Sequence, residues 1–561
     1  MDFTECYGDT VSSVAAAARS GCRKRVRKLI KRGFSVDCRD NRGWNALHEA
    51  AAAGSKECVQ ELLSAAGAGP SLCLRAYVNS LTHEGESACY LAAKCGHLSA
   101  VRLLLKTHAD INQLTNDLSC PLYAAVDTGY KEIVELLVKK GAEVNRTHTA
   151  SGWTCLHQAV YKGHIETVRI LVKVGELEVH DDHRISPLFA AAQYGQQECL
   201  EILINAGANV NTQAADLATP LLIASQEGHE ACVVFLLNHG ADPNIACSQD
   251  WPQLPVHAAA EFGHVGILGK LIAVTDRASD HGDGMVSPLY VAVNRHQSSS
   301  VELLLREGYS PDAQDCTQIL GMRSPLSFAL CRSSNKPYSE SVRSLVAAGA
   351  SLSEEDWVYA FATDQTEFLQ LILEHRWIPQ LETLTRKCYV PHYCGKTMLK
   401  VQDVRNLLCV ALNQVQFAAC WLPLILKAGL EPSLLLQPNM LEYADSEVLN
   451  YLLEFVNWST LPPHLKHILS RRQAGRTWHS YLHFDSITGL SHMCRLQVRS
   501  VLGPDLLMRT NVVQQLPVPS TLHDFLQFGD IQEPLHKHPP RSPLLNRIER
   551  YRSSHQHIHV L

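Results

Sequence analysis

Ser186-Pro187-Leu188-Phe189-Ala190-Ala191-Ala192 and Thr219-Pro220-Leu221-Leu222-Ile223-Ala224-Ser225 are two versions of one phrase. The phrase recurs in degraded form, opening at Asn45, Ser87, Cys120, Thr154, Ser186, Thr219, Leu254, Ser287 and Ser324. Successive openings stand 42, 33, 34, 32, 33, 35, 33 and 37 residues apart, and a fixed period of that size marks stacked repeats. A cryptic earlier copy at Val11 to Gly21 brings the total to about ten units.

Each unit reads as helix, turn, helix and extended finger. Ser or Thr at the first position can cap a helix, and Pro suits its first turn. A glycine such as Gly54, Gly129 or Gly228 then ends that helix, where a positive φ costs least. The second helix carries Val-x-x-Leu-Leu spacing, as in Val134, Leu137 and Val138, and closes at Gly-Ala pairs such as Gly141-Ala142. One such unit cannot bury its apolar face alone, so the units must stack as a solenoid. The phrase and its period resemble those of ankyrin repeat proteins over about residues 9–351. The resemblance implies protein binding along the concave surface of fingers and inner helices, with no active site of the array's own.

The chain has 561 residues, with 46% apolar and 19% charged, as expected of a soluble globular protein. Fifty basic against fifty-six acidic residues give a net charge of -6, so no global positive field exists to hold nucleic acid. The acidic start, Met1-Asp2-Phe3-Thr4-Glu5, does not read as a secretory signal. Nineteen cysteines without framework spacing then read as reduced thiols in the cytoplasm, with the nucleus as a second location. Residues 406–426 are uncharged over about the length of a bilayer-spanning helix. Asn406, Asn413, Gln414, Gln416 and Pro423 within that stretch favour a buried helix or helix pair, not membrane insertion.

Other motifs have plainer readings. Arg23 to Arg32 is rich in basic residues, like an import signal, yet Val26, Leu29, Ile30 and Gly33 fit a second repeat helix with a solvated basic face. Cys388, His392 and Cys394 fall short of the four ligands of a structural zinc, and no cofactor or metal is expected. The histidines at 536, 538, 555, 557 and 559 lie among prolines and polar residues, as in a disordered tail. His48, His157, His164, His229 and His257 hold consensus positions suited to structural hydrogen bonds. Asn112 and Asn145 each follow an acid and an aliphatic residue, which resembles ankyrin asparagines hydroxylated by the hypoxia-linked asparaginyl hydroxylase. The residues favour the plainer reading, that Asn suits a finger turn. No nucleophile–base constellation or phosphate loop stands out, so an enzyme is not expected.

After Ala350 the period fades, and 352–468 reads as degenerate repeats and a helical connector. Leu490, Cys494 and Val498 then follow at spacings of four, on one face of a helix. Leu516-Pro517-Val518-Pro519 comes next, and Leu522, Phe525 and Leu526 mark another short amphipathic helix. This order is similar to a SOCS box, a BC box followed by a Cullin-5 box, here over 469–530 with a tail at 531–561. Gly489 stands where Ser, Thr or Pro is usual, and Met493 where Leu is commoner; neither change removes an anchor.

The whole chain resembles the ankyrin repeat and SOCS box family. The resemblance implies an all-α chain: a solenoid, a connector and a three-helix SOCS box. It also implies a non-catalytic substrate receptor, with Leu490, Cys494 and Val498 on Elongin-C, which pairs with Elongin-B. Leu516, Pro517, Val518 and Pro519 would help dock Cullin-5 with its RING protein, and the array would present a protein substrate for ubiquitination and proteasomal degradation. The alternative is a scaffold that sequesters its partners without ubiquitinating them.

Overall fold

A computed structural model describes residues 12–68, 74–148, 151–247, 253–276, 286–312, 324–332, 338–362, 367–378, 397–480, 493–494, 496–498, 522–523, 526 and 531–535. The chain divides into two compact units, Met1–Arg277 and Ala278–Leu561. The described residues are overwhelmingly helical. Their one strand pair is a two-residue parallel ladder, Arg376–Trp377 with Thr397–Met398.

In the first unit every phrase opens a helix one residue later. Ala46–Ala52, Ala88–Lys94, Pro121–Thr128, Cys155–Tyr161, Pro187–Gln193, Pro220–Glu227 and Pro255–Phe262 are the first helices of successive repeats. The cryptic copy is Ser13–Arg19 followed by Arg23–Lys31. The side chains of Ser87, Ser186 and Thr219 each accept a hydrogen bond from a first-turn amide. The wider first interval, 42 residues, accommodates an extra helix, Leu74–Val78. Arg23–Lys31 buries Val26 and leaves its basic residues exposed, with Arg23 and Arg27 both paired to Glu61.

The histidines are the fasteners. His48 Nδ1 accepts from the Asn45 amide at 3.1 Å, and its Nε2 meets the Ser80 carbonyl of the next finger at 2.9 Å. His157 repeats this with Thr154 and Ile185. A second set reaches backwards: His97, His229 and His264 bond the carbonyls of Ala52, Gln193 and Gln226 at 3.0, 3.0 and 2.9 Å. Those rings lie over the helix-ending glycines. A Cβ at Gly54 would stand 2.4 Å from His97, so a left-handed φ of 70° and lack of space both demand glycine there.

The bonds that backbone amides donate to Nδ1 of His48 and His157 need neutral imidazoles, which makes the array sensitive to acid. Burial, opposed by the Ser80 carbonyl, lowers the His48 pKa to about 4. A depressed folded-state pKa gives stability that is complete above the unfolded value, about 6.5, and lost as pH falls toward 4. His48 alone should therefore cost about 2 kcal/mol between pH 7 and pH 5. The expected result is a falling melting temperature over that range, with a shallower slope for His48→Gln; equal slopes would remove His48 as the cause.

In the second unit the repeats continue as Pro288–Asn294 with Ser298–Arg306 and Pro325–Arg332 with Tyr338–Ala347. Helical pairing persists beyond them, in Glu354–Ala362 with Glu367–His375, then Val401–Asn413 with Ala418–Lys427. Pro438–Tyr443, Ser446–Leu453 and Pro463–Ala474 follow. The uncharged stretch is a helix pair bent by 84°, with Leu407, Val410, Trp421, Leu422, Ile425 and Leu426 buried. No single helix among the described residues is long and apolar enough to cross a membrane. Trp478 is buried too, its indole N–H bonded to Asn450 Oδ1 at 3.0 Å.

Candidate partner-binding surfaces

Two surfaces carry exposed apolar or aromatic side chains of the kind partners bind. The first lies at the C-terminal end. Residues 493–494 and 496–498 are helical, with Met493, Cys494 and Val498 exposed. Val498 shows 40% of its surface, a large value for a valine on an apolar stripe. Leu522 is exposed, whereas Leu526 is buried. Leu490 and Leu516-Pro517-Val518-Pro519 lie outside the described residues, as do Cys388, His392, Cys394 and the tail histidines.

The second surface crosses repeat boundaries. Trp153 packs edge-on to Tyr161 at 5.6 Å between centroids, and Tyr161 edge-on to Tyr194 at 4.8 Å. Lys162 stands over the Tyr161 ring, and the Trp153 N–H is tied to Asp181 at 3.1 Å. A similar group lies nearer the chain start. Arg42 stacks on Trp44 at 4.5 Å and reaches Asp40 and Glu49, and Arg19 also pairs with Glu49. Burial raises the Asp40 pKa, but hydrogen bonds from Arg42 and from the Trp44 amide outweigh it and hold the carboxyl below its usual range. Exposed aromatic and arginine side chains fixed by neighbours are what protein interfaces use as anchors. The sequence reading missed these side chains. Their signal was a Trp just before the phrase, at Trp44 and Trp153, and a Tyr at its end.

The asparagines have a structural task. Asn112 Oδ1 accepts from the Glu143 amide at 3.0 Å, and its Nδ2 donates to Glu143 Oε1 at 3.2 Å. Asn145 accepts from the Glu176 amide at 2.9 Å. Asn79, Asn211 and Asn244 do the same to the amides of Asp110, Asp242 and Asp276. Each is a staple between consecutive fingers, a reason for asparagine that needs no modification.

A repeat array with aromatic anchors, followed by an exposed apolar helix, defines a modular adaptor. Comparison places it further. The ankyrin repeats (3 copies) family matches residues 2–75, 65–148, 142–214 and 221–315, and the SOCS box family matches 488–527. Ankyrin repeat and SOCS box protein 3 of Bos taurus is 40% identical over 95% of this chain and 96% of its own length. The Homo sapiens protein of that name is 40% identical over 95% and 97%. The solved ankyrin repeat domain of human ASB11 is 25% identical, with a TM-score of 0.37, and spans 41% of this chain and 99% of that one. The chain belongs to the ankyrin repeat and SOCS box family. It is a substrate-recognition adaptor of a cullin-RING ubiquitin ligase.

Proposed function

We propose that this adaptor uses Elongin-B and Elongin-C to join Cullin-5 and its RING protein, and delivers its substrate to proteasomal degradation. The observation that carries this reading is the SOCS box match at 488–527, with Cys494 and Val498 one turn apart on an exposed helical face. In this reading Leu490 supplies the third anchor on Elongin-C, and Leu516, Pro517, Val518 and Pro519 meet the cullin. The protein does no covalent chemistry. It holds a substrate near a charged E2 enzyme, and proximity converts ubiquitin transfer into an effectively intramolecular step. Elongin-B, Elongin-C and Cullin-5 should co-purify with the full chain expressed in cells. Recovery of the array's partners without any of the three favours the sequestering scaffold; recovery of Cullin-2 in place of Cullin-5 sinks the cullin assignment alone.

Hydroxylation of Asn112 and Asn145 is a separate proposal, supported by the acid-aliphatic-Asn pattern at both positions. Intact peptide masses from cells grown under normal oxygen decide it. An added oxygen at either residue supports it, and none at both rejects it.

A further inference from the structure

One buried cluster is not accounted for by either surface described above. The helix cap opening the repeats is mostly Asn, Ser or Thr, but at one position it is Cys120. Stacking brings Cys120 against the next repeat, where Cys155 is the first helical residue and His148 lies in the finger before it. Cys120 Sγ stands 3.5 Å from His148 Nε2, and the donor atoms of Cys120, His148 and Cys155 all lie within 4.8 Å of one another. All three residues are buried, at 2%, 0% and 0% exposure. Among the described residues no other group of His, Cys, Asp and Glu converges this way.

The geometry points to a binding site for copper(I), a soft, thiolate-preferring d10 cation that accepts three ligands, held by Cys120, His148 and Cys155; two sulfurs and one imidazole fall short of the four ligands of a structural zinc. Bonds of about 2.3 Å to sulfur and about 2.0–2.1 Å to imidazole, at the angles between a tetrahedral and a trigonal site, put neighbouring S and N ligands about 3.6–3.8 Å apart. The observed 3.5 Å fits. His148 also has the support a ligand needs: its Nδ1 meets the Leu118 carbonyl at 3.0 Å, which leaves Nε2 as the coordinating atom. The Tyr123 ring flanks the imidazole at 4.9 Å, and the Tyr123 amide donates to Cys120 Sγ at 3.3 Å. Cys120 caps a helix N-terminus, which favours a thiolate there. Two sulfurs and a nitrogen in a dry site exclude calcium and magnesium, which take oxygen ligands. On binding, each thiol releases its proton to solvent while Nε2 has none to lose. The ion would clamp together the repeats opening at Cys120 and Thr154.

The array itself supplies variants that should fold. Cys120→Ser restores the cap found at Ser87 and Ser186, and Cys155→Ala the residue found at Ala46 and Ala88. The full chain, reduced and stripped by chelator, is titrated separately with zinc(II) and copper(I), and bound metal is counted by mass spectrometry. The expected result is one ion per chain and a raised melting temperature, with affinity at least a hundredfold weaker in the folded double variant. Tighter binding of zinc(II) than of copper(I) overturns the choice of ion. Equal affinity in the double variant overturns the site. So does a Cys120–Cys155 disulfide in metal-free protein isolated with thiols blocked, which would make these cysteines a redox pair.

Discussion

Leu490→Ala is expected to cut Elongin-C capture about tenfold or more and to lose the cullin with it. Filling an apolar pocket with a leucine side chain is worth about 1.5–3 kcal/mol, and a buried interface anchor often costs about 2 kcal/mol on truncation. A loss of about 1.4 kcal/mol is already tenfold. In the proposed assembly the cullin is recruited by the Elongin-bound SOCS box, so both should fall together while substrate stays on the array. Changing Pro517 and Pro519 to Ala should divide these effects. Proline fixes φ and pre-sets an extended segment, so its loss loosens the cullin-facing end. The double variant should keep Elongin-B and Elongin-C and lose most Cullin-5. Pull-down of the full chain with quantified Elongin-C and Cullin-5 reads both outcomes. Equal loss of Elongin-C in both variants would make the prolines structural for the whole SOCS box, and no loss in either would leave the scaffold reading.

Legibility in the sequence followed distance. The repeat was readable because each phrase is local, with cap, proline and glycine acting within one helix, and all seven first helices of the first unit begin beside their predicted openings. The apolar stretch around Trp421 was readable as a buried helix or helix pair because its amides and Pro423 argued against a membrane span; the structure makes it a pair, bent ahead of Val415, with Pro423 inside the second helix. Contacts made between repeats were not readable. Asn79 and Asn244 staple fingers as Asn112 does, but the role depends on the next finger's amide and not on the acid-aliphatic pattern that drew attention to Asn112. Tyr194 joins Trp153 and Tyr161 in one row only once their two repeats are stacked. Cys120, His148 and Cys155 have no motif spacing, because the stacking of two units and not a local turn brings them together. The four-residue spacing of Leu490, Cys494 and Val498 was readable, but an apolar stripe becomes a docking surface only when nothing in its own fold covers it, and that depends on packing.

Trp421→Ala should destabilise the connector by about 3–5 kcal/mol, the usual cost of emptying a buried tryptophan site. Trp421 is fully buried, edge-on to Phe361 at 5.2 Å, and Phe361 stacks with Trp357 at 5.9 Å. Its indole N–H donates to the Gln414 carbonyl at 3.1 Å, at the bend between the two uncharged helices. The side chain therefore both fills the core and adds a second donor to the Gln414 carbonyl, which also accepts from the Phe417 amide. Trp421→Phe keeps most of the packing and loses only the indole bond, the Gln414 carbonyl keeping the Phe417 amide, so about 0.5–1.5 kcal/mol is expected. Hydrogen exchange on the full chain should show protection lost in the peptides covering 401–427 and kept in those covering 46–52. The functional consequence follows from the connector's place in the sequence, between the array and the SOCS box. A loosened connector leaves the residues that touch substrate and Elongin-C unchanged, so both partners should bind at wild-type affinity. What suffers is effective concentration, because a substrate held on a slack tether spends less time where ubiquitin is transferred. Ubiquitination of the bound substrate should fall several-fold while both pull-downs hold. Unchanged protection over 401–427 would show that these apolar helices do not depend on Trp421 as their core, and unchanged ubiquitination with lost protection would show that transfer tolerates a flexible link.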